Sequence, residues 1–246
     1  MDRDELLGKV RELRAKGAPP KAVARALGLT PAQVAPLVRA VAAEAEAVPG
    51  SAPVVGCWVS PGWSVGLTVD GHPEWPDVTS DEPGVGSLAS VLVVREGRRG
   101  RVSACGYLVD TYCLGVKNAI GPHGTDPHAL RGLVADYFSA YGEAPVAAPL
   151  ELAQHLVFGA VEYARSLGFE PHPDFAAAAA HLGPWTGPSA ITFGRNGKPL
   201  FVQGPHDDAA QVIRALERTA GRGNFDFLMA AGRVSAPARG RGWSRM

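Results

Sequence analysis

Three short stretches gather the residue types that chemistry needs. "YLVDTYCLGVKN", residues 107 to 118, sets Asp110 and Lys117 in an otherwise apolar strand pattern. A carboxylate in such a run is costly to bury unless it is paired or hydrogen-bonded. Cys113 in the same run becomes a nucleophile if the fold brings a histidine such as His123 or His128 beside it. "LGFEPHPDF", residues 167 to 175, carries His172 and Asp174 on a backbone stiffened by prolines. "GPHDD", residues 204 to 208, places His206, Asp207 and Asp208 between a strand and a helix. Together with His172 and Asp174, these three make an N/O ligand set suited to a divalent metal.

Each stretch also has a structural role to offer. Cys113 reads more readily as a small buried apolar side chain. Strand alternation sets Asp110 and Cys113 on opposite faces, which separates them. Asp174 suits the N-cap of a helix from Phe175, and the two aspartates after His206 suit a helix start and its dipole. No H-E-x-x-H, P-loop, G-x-G-x-x-G or G-x-S-x-G pattern occurs. The motifs therefore name no cofactor. The enzymatic alternative is a metal-assisted hydrolase or nuclease using Asp110, His172, Asp174 and the 206 to 208 cluster.

The elements that position these residues divide the chain. Leu6, Leu7, Val10 and Leu13 recur at helical spacing over residues 2 to 16, and Gly17 with Pro19-Pro20 ends that helix. A short helix over 21 to 27 leads to a Gly28-Leu29 turn. Thr30 is a good N-cap, Pro31 suits the first helical position, and a third helix runs to about Ala47. "VPGSAP" reads as a linker. From Val54, "VVGCWVS" and "WSVGLTV" look like strands, and 70 to 86 looks like a long exposed loop. Residues 88 to 116 read as two strands joined by the basic hairpin "REGRRGR". Helical patterns follow at 127–141, 149–167 and 173–182. "RNGK" between apolar runs predicts a hairpin with a type I′ turn. "DDAAQVIRALERTAG" predicts a helix ended by Gly221, and "FDFLMA" a last strand.

The fold expected is thus α+β: a three-helix domain at 1–48, a linker at 49–53, a mixed domain with antiparallel strands and several helices at 54–232, and a disordered basic tail at 233–246.

Residues 20 to 39 resemble a bacterial helix-turn-helix unit. Ala24 stands at the small crossing position, Gly28 at the turn, and Val23, Leu27, Leu29, Val34 and Leu37 at the buried ones. Such a unit sets its third helix in the major groove, where early exposed residues meet base edges. Only Gln33 and, weakly, Thr30 can hydrogen-bond a base there. Pro36 sits inside the helix, at a cost of about 3 kcal/mol in a regular one. Phosphate contacts are better supplied, by Lys9, Arg11, Arg14, Lys16, Lys21, Arg25 and Arg39. The alternative is a three-helix module that docks on protein. Two further basic clusters are the hairpin, with Arg98, Arg99 and Arg101, and the tail "RGRGWSR", where Trp243 could stack on a base.

Residues 54 to 230 resemble a recurrent set of uncharacterised bacterial proteins to which no activity attaches. Trp63 and Arg95 belong to that pattern.

A formal net charge of zero excludes a bulk nucleic-acid coat, so charge-driven binding must be local. Apolar residues make up 46%, enough for a sizeable core. Three cysteines without a C-x-x-C pair argue against a disulfide framework. No apolar run approaches the roughly 20 residues that span a bilayer, and the start lacks a signal peptide's apolar segment. The expectation is a bacterial, cytoplasmic, nucleic-acid-associated protein. DNA is favoured over RNA as partner, the large domain senses a ligand or makes a homo-oligomer, and no membrane is involved. An RNA- or ribosome-associated interaction module is the remaining alternative.

Overall fold

The computed structural model describes residues 3–47, 50–76 and 87–229. In chain order the elements are α1 (Arg3–Ala15), α2 (Pro20–Leu27), α3 (Pro31–Ala47), β1 (Val54–Val59), β2 (Thr68–Val69), β3 (Leu88–Glu96), β4 (Val102–Asp110), β5 (Gly115–Thr125), α4 (Leu130–Tyr137), β6 (Val146–Ala147), α5 (Leu150–Ser166), α6 (Phe175–Leu182), β7 (Ile191–Thr192), β8 (Leu200–Val202), α7 (Ala209–Thr219) and β9 (Asp226–Leu228). The class is α+β.

Helices α1 to α3 bury their apolar stripes against one another. Val10, Val23, Ala24, Val34 and Val41 form the centre, flanked by Leu7, Leu13, Leu27, Leu29 and Leu37. The rest is built on a five-stranded sheet in the order β5-β4-β3-β1-β6, antiparallel throughout. Alternate residues of β3 and β4 point to opposite faces, and both faces are covered. Ala89, Val91, Val93, Cys105, Tyr107 and Val109 meet α5 and α6. Leu92, Val94, Val102 and Ala104 meet α4 and Phe138. This two-sided burial is why β3 reads as an almost unbroken apolar run. Each Val or Leu side chain among them, taken fully out of water, contributes about 1.5–3 kcal/mol.

Arg95, 4% exposed, closes one end of this core. Its guanidinium donates to the carbonyls of His181 (2.6 Å), Leu182 (3.1 Å) and Ala52 (2.5 Å). It therefore satisfies the end of α6 and ties the segment before β1 to that helix. A third apolar cluster joins Cys113, Leu167 and Phe201 to Ala209, Val212 and Leu216 of α7.

Several expectations change. The "WSVGLTV" stretch yields only the two residues of β2; residues 61–66 are turn. The two strands after residue 88 are three, because the Gly- and Pro-containing run 115–125 is itself a long strand, fitted to β4 through irregular register. The helical pattern at 127–141 resolves into a single 3₁₀ turn at Pro127–Ala129 and α4, which stops at Tyr137. At "RNGK" the turn is as expected, with Asn196 and Gly197 both at positive φ (54° and 80°). The arms, however, diverge beyond the Arg195–Lys198 bridge: β7 pairs with β2, and β8 pairs in parallel with β9. The loop from residue 70 is not simply exposed, since Trp75 is buried. Its later part (77–86), the junction at 48–49 and the tail (233–246) with Trp243 lie outside the described residues.

Candidate functional site

In the N-terminal helices, α2 ends on Gly28, whose left-handed backbone (φ 65°, ψ 26°) turns the chain. The amide of Leu29 donates to Ala24 O at 3.0 Å across that turn. Helix α3 then opens on a reciprocal cap. The Thr30 amide donates to Gln33 Oε1 at 3.0 Å, and the Thr30 hydroxyl donates to the same oxygen at 2.9 Å. The Gln33 amide reaches back to Thr30 Oγ1 at 3.4 Å. Lys21, Arg25, Pro31, Ala32, Gln33, Ala35, Pro36 and Arg39 are all exposed, so the outer side of α2 and early α3 faces solvent. Helix α3 continues through Pro36. Among the other basic residues, Lys9 pairs with Glu5 and Lys16 with Glu12, each one turn away. Arg14 donates to Ala18 O at 3.0 Å, capping α1.

The β3–β4 tip is a single 3₁₀ turn at Arg98–Gly100, with Arg99 in the left-handed region (φ 55°). Arg98, Arg99 and Arg101 are exposed, and Arg101 Nη2 donates to Gly124 O at 2.7 Å on the neighbouring strand.

The polar residues expected to do chemistry meet only in part. Asp110 ends β4, and residues 111–114 are a turn, so Asp110 and Cys113 do not lie on opposite faces of a strand. The amides of Tyr112 (3.0 Å) and Cys113 (3.2 Å) both donate to Asp110 Oδ1. Burial raises the Asp110 pKa above the ordinary carboxylate range, against the pull of the Tyr112 amide, the Ser87 hydroxyl and the Lys117 charge. Cys113 is fully buried, and burial, with Asp110 beside it, pushes its thiol up as well. That opposes thiolate formation and nucleophilic attack. His123 and His128 are exposed, away from this core position.

Lys117 is held by Asp207, its Nζ donating to Oδ1 at 2.8 Å and Oδ2 at 2.7 Å. The Gly204 amide also donates to Oδ2, at 2.8 Å. Asp207 is thus an ion-pair partner and turn former, with Asp208 alone capping α7 through the Gln211 amide (3.0 Å). His172 and Asp174 are exposed neighbours, Nδ1 lying 3.6 Å from Oδ2. Asp174 occupies the start of α6 without making the expected side-chain cap. His206 is exposed. Among the described residues no three His, Cys, Asp or Glu side chains gather to hold a metal ion, so the set His172, Asp174, His206, Asp207 and Asp208 is not brought together.

Two features escape the sequence patterns. Next to Cys113 and Asp110, the Tyr163 hydroxyl is buried without a hydrogen-bond partner among the described residues. On α5, His155 sits in a run of rings: Trp75 at 5.1 Å and Trp185 at 4.9 Å, with His72 stacked on Trp75 at 3.7 Å. Its Nδ1 accepts from the Ala190 amide at 2.8 Å, which requires the neutral ring. Burial lowers its pKa, Glu151 opposing and His72 assisting. Face-to-face rings at 3.7 Å leave no slot for a ligand between them. Only the tryptophans, isolated in Pro- and Gly-rich stretches, hinted at this cluster.

The fold and these sites define an α+β protein with a separate three-helix cluster that carries exposed cationic side chains. The chain matches no known protein-family model, no curated protein and no solved structure. Among the described residues no helix is long and apolar enough to cross a membrane.

Proposed function

We propose that this chain is a DNA-associated regulator. Helices α1 to α3 act as a helix-turn-helix module that grips phosphates, and the large α+β domain senses a ligand or makes the oligomer. One observation carries it: the three helices seal their apolar residues into a core of their own, which leaves Lys21, Arg25 and Arg39 outward beside the open side of α3. Positive side chains on such a surface attract a polyanion whatever its sequence.

Base readout is weak in this proposal. Of the residues at the front of α3, only Thr30 and Gln33 have base-reading groups, and the cap already holds the Thr30 hydroxyl and Gln33 Oε1. To make the two-point contact with adenine, Gln33 must release its Oε1 from Thr30, at a net cost of about 0.5–1.5 kcal/mol for a hydrogen bond. Binding thus rests on backbone contacts, with sequence discrimination small.

The test is a gel shift of the full-length protein with genomic DNA fragments at low salt. A salt-sensitive shift that is lost in the Lys21→Ala, Arg25→Ala, Arg39→Ala triple variant supports the proposal. No shift at any protein concentration, or preferential retention of RNA over DNA, defeats it.

A further inference from the structure

We infer that the large domain binds a small, neutral, planar heterocycle in the groove beside α4, and that Asn118 reads its edge. The ligand class is that of molecules with adjacent hydrogen-bond donor and acceptor on a flat ring, to which the nucleobases belong. This site lies on the sheet, and its occupancy does not depend on α1 to α3 binding DNA.

Helix α4 is too short to cover its face of the sheet. It shields Leu92, Val94, Val102 and Ala104. Further along the same face, Ser90, Leu108, Asn118 and Ile120 remain beyond its end. They line a cavity of about 270 Å³, with Tyr137 as the wall. A dry cavity of about 150 Å³ is enough for a six-membered aromatic ring. The space here is an open groove, slightly below the usual size of ligand sites, with room for a small flat ring lying on the sheet.

The shape of the groove is set by Gly106. A Cβ there would lie 2.5 Å from the Tyr137 ring, so glycine lets that ring lie directly against β4. The inner end is polar and built. Ser90 is only 7% exposed, and the Tyr141 hydroxyl donates to its Oγ at 3.0 Å. The Tyr137 hydroxyl is shared between the carbonyls of Tyr107 (3.1 Å) and Val91 (3.2 Å). Burial raises the Tyr137 pKa, so it stays a neutral phenol.

Charge and hydrogen bonding then narrow the ligand. None of the lining residues is ionisable near neutral pH, which disfavours an ion that must leave water. Lys117, next along β5, is turned to Asp207. Ile120 keeps 42% of its surface exposed at the rim, an apolar edge for a flat molecule to cover. Asn118 is exposed on the same strand with its amide unbonded by any described residue. A carboxamide presents a donor and an acceptor side by side and pairs in two-point fashion with a ring edge that offers the same, as it does with adenine.

The test titrates the ¹⁵N-labelled full chain with adenine, cytosine and uracil as free bases, with toluene as the apolar control. The expected result is saturable binding of at least one base, shifts confined to residues around 90, 106–108, 118–120 and 137, and weaker binding of toluene. Asn118→Leu keeps the bulk and removes the amide, and should weaken base binding at least tenfold. Ile120→Trp, at an exposed position that tolerates a large ring, should fill the groove and abolish it. The inference is overturned if no base saturates, if the shifts fall elsewhere, if Asn118→Leu binds as the parent does, or if toluene binds as well as the bases.

Discussion

Asp110 accepts hydrogen bonds from the amides of Tyr112 and Cys113 on one carboxylate oxygen. A carboxylate among Val, Leu and Tyr suggests chemistry, but here it organises the turn between β4 and β5. Gly115, at φ 68°, completes that turn at its far end. The Asp-to-Gly frame was in the sequence, and the apolar residues between the two disguised it as continued strand. The alternation argument that separated Asp110 from Cys113 failed for that reason. Because the carboxylate satisfies two amides inside the protein, Asp110→Ala should lower stability by about 2–4 kcal/mol. Asp110→Asn, which keeps one acceptor oxygen, should cost less than half as much; urea unfolding measures both. A larger loss for Asn than for Ala would deny Asp110 this role. At the other end of the chain, the Thr30–Gln33 cap was legible as an N-cap threonine, whereas the glutamine's return bond was not, because Gln33 read as a base contact. Thr30→Ala should lower stability of the helical module by about 1 kcal/mol, seen as faster amide exchange in the first turn of α3.

At the scale of elements, helices were more legible than strands. The apolar spacing of α1, α5 and α7 is local and fixes their existence. Strand partners are non-local, and β5 carries Gly115, Gly121, Pro122 and Gly124, which hide its period. The "RNGK" turn set its own geometry but not the pairing of the arms, which other strands decide. Two contacts tie these poorly legible elements to the rest. Lys117 of β5 and Asp207 before α7 are mostly buried, at 21% and 13% side-chain exposure. Removing either charge leaves the other uncompensated. Lys117→Met and Asp207→Asn should each destabilise, and the double variant should recover about 1–3 kcal/mol of their sum in a double-mutant cycle. The second contact is the His155 Nδ1 bond to Ala190 beside β7. The folded pKa of His155 is lowered from 6.5, so the folded state takes up fewer protons than the unfolded chain. Its contribution is complete above pH 6.5 and declines as pH falls below it. His181 shifts in the same direction, through burial and then Arg95, and adds to the decline. His155→Asn, whose Oδ1 takes the place of Nδ1, should flatten part of the loss of melting temperature between pH 6.5 and 5. An unchanged pH profile would place the acid sensitivity elsewhere.

For the whole molecule, zero net charge decides how a polyanion can bind. With no general field to draw it in, affinity must come from a few local cations, and each leaves a countable trace in salt dependence. On B-DNA, log K against log salt has a slope of about −0.9 per phosphate neutralised. Lys21→Ala, Arg25→Ala and Arg39→Ala should therefore each make the slope shallower by about 0.9, since each removes one exposed positive charge from α2 or α3. Arg101→Ala, at the β3–β4 tip and outside the helices proposed to grip phosphates, should leave it unchanged. The same substitutions should weaken all DNA sequences alike. With Thr30 and Gln33 closed on each other, the ratio of best to average sequence should stay below the roughly 10³ at which specific binders begin. Fluorescence anisotropy across a salt series on several duplexes measures slope and ratio together. A slope that does not respond to the three substitutions would remove α1 to α3 from the interface. A ratio far above 10³ would mean that the cap opens on DNA and that Gln33 reads a base after all.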